Sequence, residues 1–189
     1  MKYCSECGSD QLLIQIPEGD NRPRHICANC GMIYYQNPKV ITGCLVQHQG
    51  KVLLCQRAIE PRYGLWTIPA GFMENQETLQ QAAMRETWEE AQAKVTALRL
   101  YALFSIPYIS QVYVMFLAQL SPENPTFAAG TESLAVDLFD ENSIPWEKLA
   151  FTVIKTTLTH YFQDQKTGQF PMRIGEIVDS TVSISAVIA

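Results

Sequence analysis

Between Gly71 and Ala93 the chain reads GFMENQETLQQAAMRETWEEAQA, and where its glutamates fall restricts the fold more than any other feature. An α-helix turns about 100° per residue, so Glu86 and Glu90 stand one above the other with Glu89 beside them. On that wheel Glu86 and Glu90 lie inside the stripe of Leu79, Ala82, Ala83 and Ala93, which has to be packed. A solvated acidic face would carry its glutamates opposite the apolar stripe. Two carboxylates held close in a partly dry place need protons or a cation. Oxygen donors of this kind suit a hard divalent ion such as Mg²⁺, shared with substrate phosphate oxygens. Met84, Trp88 and Ala91 form a second apolar face, so the helix is expected between two layers. Arg85 stands one turn before Glu89 and pairs with it at i,i+4.

The second constraint is at the N-terminus. Cys4-Ser-Glu-Cys7 and Cys27-Ala-Asn-Cys30 are separated by nineteen residues, and each pair is followed by a glycine, Gly8 or Gly31. This spacing fits a tetrahedral site of four thiolates holding a structural Zn²⁺ at Cys4, Cys7, Cys27 and Cys30. A redox dithiol is the alternative. LLIQI (12–16) and RHIC (24–27) predict a short hairpin. A segment as small as 1–36 needs such a staple to fold. No apolar leader precedes it, and paired thiols without an export signal point to a reducing, cytoplasmic setting.

Tyr34-Tyr35-Gln36-Asn37-Pro38 is the joint to a larger domain, expected over 38–170, with 171–189 as a C-terminal tail. A hydrophobic content of 47% supports a sizeable core, and no run approaches the roughly 20 apolar residues of a spanning helix, so no membrane is expected. The formal charge of −5 argues against a general nucleic-acid binder. KVITGCLVQH (39–48) and KVLLCQR (51–57) predict a hairpin, with Cys44 and Cys55 as small core residues. KVTALRLYALF (94–104), YISQVYVMFLAQL (108–120) and SLAVDLFD (133–140) predict further strands. IPWEKLA begins a short helix, and Phe151, Ile154, Leu158 and Phe162 give 151–165 a core-facing helical stripe. The tail TVSISAVIA (181–189) suits a sheet edge, within the chain or across a dimer. Strands on both sides of a central helix, with a second helix near the end, make a mixed α/β sandwich.

The stretch from Gly71 resembles the signature box of the Nudix hydrolases: Gly, five residues, Glu, seven residues, then Arg-Glu-apolar-x-Glu-Glu-x-Gly-apolar. Gly71, Glu77, Arg85, Glu86, Glu89 and Glu90 match at every spacing; Thr87 stands at an apolar position and Gln92 at the closing glycine. A glycine there would end the helix in a left-handed turn, so Gln92 predicts a somewhat different exit. The resemblance implies the Nudix α/β/α sandwich with a mixed sheet, preceded by the zinc ribbon. It implies hydrolysis of a nucleoside diphosphate linked to another group, with Mg²⁺ or Mn²⁺ held by Glu86, Glu89, Glu90 and the carbonyl of Ala70. Arg85 then orients Glu89 and Glu77, and Glu132 in GTESL is the candidate general base or further ligand. A homodimer is the family habit.

The order of ribbon, linker and box is similar to the NADH pyrophosphatases, but the SQPWPFP-like stretch that follows their box is replaced by LFSIPYISQVYVMF. EGDNRPRHIC, YYQNPKV, RAIEPRYGLWTIPAGFMEN and IPWEKLAF instead resemble a subgroup acting on ADP-ribose and FAD. For a small nucleotide of that class, Arg57 and Arg62 are candidate phosphate clamps. Tyr63, Phe72, Phe104 and Tyr113 are candidate stacking surfaces, with Trp66 and Tyr108; Tyr34 or Tyr35 could also reach over from the ribbon. NADH pyrophosphatase activity is the alternative within the class, and a ligand-sensing regulator without turnover is the alternative outside it.

Overall fold

The computed structural model describes residues 1–178 and 181–188. Two compact units emerge, Met1–Pro38 and Lys39–Ala189.

In the first unit, strand β1 (Leu12–Gln15) pairs antiparallel with β2 (Arg24–Cys27), and β3 (Ile33–Tyr34) pairs with the other side of β2. Each Cys-x-x-Cys turn closes by the same bond. The Gly8 amide donates to the Cys4 carbonyl at 2.9 Å, and the Gly31 amide to the Cys27 carbonyl at 2.8 Å. Both glycines sit at φ near +75°, a conformation that costs other residues a Cβ clash.

The second unit runs β4 (Lys39–His48), β5 (Lys51–Arg57), β6 (Trp66–Thr67), β7 (Ala70–Phe72), α1 (Leu79–Ala91), β8 (Val95–Ile106), β9 (Gln111–Leu120), β10 (Ser133–Phe139), α2 (Thr152–Thr167), β11 (Met172–Val178) and β12 (Thr181–Ile188). One mixed sheet has the order β10-β5-β4-β9-β8-β11-β12, with β6 and β7 paired onto β5 and β4. The pairs β4–β9 and β8–β11 are parallel, the rest antiparallel. Successive strand residues point to opposite faces. Thus Ile41, Leu45, Val52, Leu54, Met115 and Leu117 join the core under α2, whereas Cys44, Val46, Leu53, Cys55, Phe116 and Ala118 join the core under α1. Because both faces are covered, the central strands read as continuous apolar runs. This is the expected α/β/α arrangement.

Three details depart from the sequence expectations. Met84 and Trp88 are 44% and 48% exposed, so α1 packs on one side only; the ammonium of Lys94 lies 5.9 Å over the Trp88 ring. IPWEKLA forms only a three-residue 3₁₀ turn, Trp146–Lys148. Residues 172–178, set apart from the sequence as part of a tail, supply β11 inside the sheet, whereas 181–188 form β12 at the sheet edge, the placement expected for that segment, here within the chain. Asp179, Ser180 and Ala189 of that tail lie outside the described residues. Among the described residues no helix is long and apolar enough to cross a membrane.

A buried polar clamp fixes the far end of α2. The Asp164 carboxylate accepts from Tyr101 Oη on β8 at 2.6 Å and from both terminal nitrogens of Arg173 on β11, at 2.6 and 2.5 Å. All three residues are buried.

Candidate active site

Helix α1 starts at Thr78, whose hydroxyl accepts from the Gln81 amide while the Gln81 side chain accepts from the Thr78 amide. This capping box sets the helix phase and hence the direction of every glutamate after it. Thr87, standing where an apolar residue was expected, is fully buried because its hydroxyl donates back to the Ala83 carbonyl at 2.7 Å. The helix ends at Gln92 in the left-handed conformation, φ 48°, and the Gln92 side chain donates to the Ala129 carbonyl. The expected difference in exit is therefore absent. A glutamine occupies the glycine conformation, helped by a contact with the loop that follows.

That loop docks directly on the helix terminus. The Gly130 amide donates to the Glu90 carbonyl and the Ala128 amide to the Ala91 carbonyl. A Cβ on Gly130 would sit 1.7 Å from the Glu89 carbonyl oxygen, so only glycine admits this approach. The docking brings Glu132 to the glutamate cluster.

Arg85 is the hub. Its guanidinium donates to both carboxylate oxygens of Glu77 (2.6 and 3.0 Å), to Glu86 (2.7 Å), to Glu89 (2.8 Å) and to the Phe72 carbonyl (3.1 Å). The bonds from Arg85 hold the Glu77 carboxyl below the usual carboxylate range. Glu86 goes the other way, because burial raises it more than Arg85 lowers it. Glu90, only 6% exposed, is raised to about 8 by burial, aided by the negative charges of Glu86 and Glu132 and opposed by the Ala70 amide and Arg57. Its hydrogen-bond donor is that Ala70 amide, at 3.2 Å. Among the described residues no cation pairs with Glu90, and this is the condition of a carboxylate built for an ion. An all-oxygen donor set fits a hard divalent metal.

Gly71 completes the geometry: an added Cβ would lie 2.2 Å from a Glu86 carboxylate oxygen. Gly71→Ala should therefore leave the melting temperature close to wild type, since the flexible end of Glu86 can move. The displaced carboxylate should lower kcat by about 10²-fold. Thermal unfolding run beside steady-state rates tests that separation.

The cluster opens into a cavity of about 1010 Å³. Of the residues singled out in the sequence, Ala70, Arg85, Glu86, Glu89, Glu90, Glu132, Arg57, Arg62, Phe72 and Tyr113 line it. Tyr63 does not, being 57% exposed elsewhere on the surface. Phe104 is fully buried in the core under α2, where no ring face is free for stacking. Trp66 packs edge-on against Phe139. Tyr108, by contrast, does line the cavity. Tyr34 is engaged inside the ribbon, its hydroxyl 2.9 Å from Cys4 Sγ. Sequence reasoning overlooked Ile59, Ile109 and Phe151 on the cavity wall. Phe151 was assigned to the core stripe of α2; it is in fact the extended residue just before that helix, and only the strand–helix packing reveals its placement.

In the ribbon, the sulfurs of Cys4, Cys7, Cys27 and Cys30 lie within 4.8 Å of one another, with two pairs at 3.6 Å. Four sulfurs at about 2.3 Å from a tetrahedral zinc would stand close to 3.8 Å apart, so the cluster fits that ion. Cys27→Ser should abolish zinc retention and unfold residues 1–38, read by metal content and limited proteolysis. Undiminished zinc in that variant would rule the assignment out.

Comparison with known proteins agrees with this geometry. A family model of the NUDIX domain matches residues 37–162, and one described as Nudix N-terminal matches residues 2–36. The chain belongs to the Nudix hydrolase family. The crystal structure of a NUDIX hydrolase from Nitrosomonas europaea is 53% identical and superposes with a TM-score of 0.88, over 94% of this chain and 99% of that one. NAD-capped RNA hydrolase NudC of Chromobacterium violaceum is 32% identical over 119 residues, 62% of this chain and 42% of the relative. The enzyme of the same name from Vibrio atlanticus is 30% identical over 155 residues, 77% of this chain and 51% of the relative. The chain thus spans about half the length of the curated relatives it matches.

Proposed function

We propose that this protein hydrolyses the pyrophosphate bond of an adenosine diphosphate linked to a second group, FAD or ADP-ribose, and releases AMP. The observation that carries this reading is the buried Glu90 beside the partly buried Glu86, opening with Glu89 and Glu132 onto a cavity that also contains Arg57. At about 1010 Å³ the cavity stands at the top of the range of about 300–1,000 Å³ for small-molecule sites, with space for both halves of a dinucleotide.

Glu86, Glu89, Glu90 and the Ala70 carbonyl would hold Mg²⁺ or Mn²⁺. Such ions neutralise pyrophosphate oxygens and acidify an attacking water. Arg85 keeps Glu86 and Glu89 at their posts and is itself anchored by Glu77. Glu132 takes the proton of the water. Phe72, half-exposed on the cavity wall, offers a ring face to a base, and Tyr113 lies buried beside Arg57. The zinc ribbon is structural. We further propose a homodimer, read by light scattering, and a cytoplasmic setting in keeping with four zinc-bound thiolates.

A second reading, NADH as substrate, draws on relatives whose name, NAD-capped RNA hydrolase, points to a nicotinamide dinucleotide group. RNA is not proposed, because a net charge of −5 provides no basic surplus for a polyanion. Hydrolysis of FAD, ADP-ribose, NADH and dGTP, each with Mg²⁺ and with EDTA, separates these readings by the release of AMP. Silence on all four by folded, zinc-loaded protein would favour a sensor without turnover.

A further inference from the structure

Strand register lays down the floor of the cavity. Ile41 on β4 pairs with Phe72 on β7 and with Tyr113 on β9. Directly paired residues share a face, and residues two apart along a strand point the same way. Gln111, two before Tyr113, therefore stands on the face that carries Ile41, Tyr113 and the core under α2. Its partner on β8 is Ile106, of the same core. Phe72, Ile41, Ile106, Gln111 and Tyr113 all line the cavity.

Gln111 is the polar member of that group. Its carboxamide is partly buried among these side chains and forms no hydrogen bond among the described residues. In the open cavity water can meet it, but a ring laid on this floor would displace that water. The carboxamide then needs a partner on the ligand, because a buried amide without one is costly. Phe72, 50% exposed, supplies the ring face beside it. On its other pairing side Gln111 meets Lys39, whose ammonium lies 5.0 Å over the Phe72 ring.

We propose that Gln111 selects the base of the substrate, its carboxamide pairing with the exocyclic amine and the adjacent ring nitrogen of an adenine stacked on Phe72. The inference rests on the pyrophosphatase reading for its ligand and adds to it the residue that chooses the base. A carboxamide presents an acceptor and a donor side by side, and adenine presents its amine beside N7 in the complementary order, so two bonds form together. Guanine and hypoxanthine place a carbonyl where adenine has the amine, and the acceptor of Gln111 would then face another acceptor. Stacking on Phe72 adds affinity without selection, since every base has a ring face.

AMP and purine riboside 5′-monophosphate, which lacks the 6-amino group, are the probes, titrated by calorimetry into the full zinc-loaded chain with Mg²⁺. Neither has a pyrophosphate bond to hydrolyse. Wild type should bind AMP about fivefold or more tighter than the amine-free nucleotide. Gln111→Met keeps the length of the side chain and removes both polar atoms. It should weaken AMP by about tenfold and bring the two nucleotides within about twofold of each other. Phe72→Leu should weaken both alike. In steady-state assays Gln111→Met should raise KM for ADP-ribose by about tenfold with kcat within about twofold, as expected of a contact remote from the reacting bond. If Gln111→Met does not fold, Gln111→Leu takes its place. Equal affinity of wild type for the two nucleotides, no binding of AMP, or an AMP preference that survives in the folded variant overturns the assignment. Hydrolysis of ADP-ribose or FAD by a wild type that does not distinguish the two nucleotides sinks the role of Gln111 and leaves the pyrophosphatase reading standing. An AMP preference that Gln111→Met abolishes, without hydrolysis of any nucleotide tested, does the reverse.

Discussion

Glu90→Gln should lower kcat by about 10³-fold with the fold intact, roughly the loss that follows when one preorganised electrostatic partner is removed from a site. The same substitution should stabilise the metal-free protein in a pH-dependent way. Burial pushes the Glu90 carboxyl from its ordinary value of 4.5 up to about 8. Between those values the folded chain holds a proton that the unfolded chain has released, so stability falls as pH rises through the window. Below about 4.5 both states are protonated and Glu90 contributes no penalty; above about 8 the penalty is complete. Denaturation of wild type and Glu90→Gln from pH 5 to 9, without added divalent metal, should therefore show curves that diverge toward alkaline pH. Added Mg²⁺ should bring the wild-type curve back up. Near-wild-type turnover by Glu90→Gln would break the assignment of this carboxylate to the metal, and parallel stability curves would contradict its burial as a lone charge.

Asp164→Ala should destabilise the protein by about 3–5 kcal/mol, lowering the melting temperature by roughly 10 °C or more. The loss does not come from one missing bond. Asp164 is the acceptor for Tyr101 and for both terminal nitrogens of Arg173, and its removal leaves a buried guanidinium without a counter-charge. Replacing the pair together, as in Asp164→Leu with Arg173→Met, should recover most of that loss, because neither charge then stays buried alone. Urea unfolding of the single and double variants measures the difference. Equal loss in the two would show that Asp164 acts through packing and not through charge.

The glutamate cluster was legible in the sequence because helical periodicity is a local property. The spacing of Arg85, Glu86, Glu89 and Glu90 states which side chains share a face, and the structure finds Arg85 bonded to Glu77, Glu86 and Glu89. The ribbon was legible for a similar reason, since two short knuckles with trailing glycines leave few other arrangements for four sulfurs. The stacking surface was not. Phe104 and Tyr108 are four residues apart around one strand end, yet Phe104 is fully buried and Tyr108 mostly exposed. Which aromatic meets solvent depends on what covers that face of the strand, and the core under α2, far away in sequence, covers Phe104. Gln92 and Gly130 make the same point. The glutamine takes a left-handed cap and the glycine admits a carbonyl contact only because the loop after β9 returns to the helix terminus.

By itself the sequence determined the α/β class, the phase of α1, the glutamate cluster and the grouping of the four cysteines, all of which depend on residue type and short spacing. Tertiary structure decided that residues after 170 extend the sheet, that Arg57 and the start of α2 share a cavity with the carboxylates, and that Asp164 is locked to Arg173. These pairings join segments roughly ten to a hundred residues apart. They are selected by the burial of two apolar sheet faces, a cooperative result that no local pattern encodes.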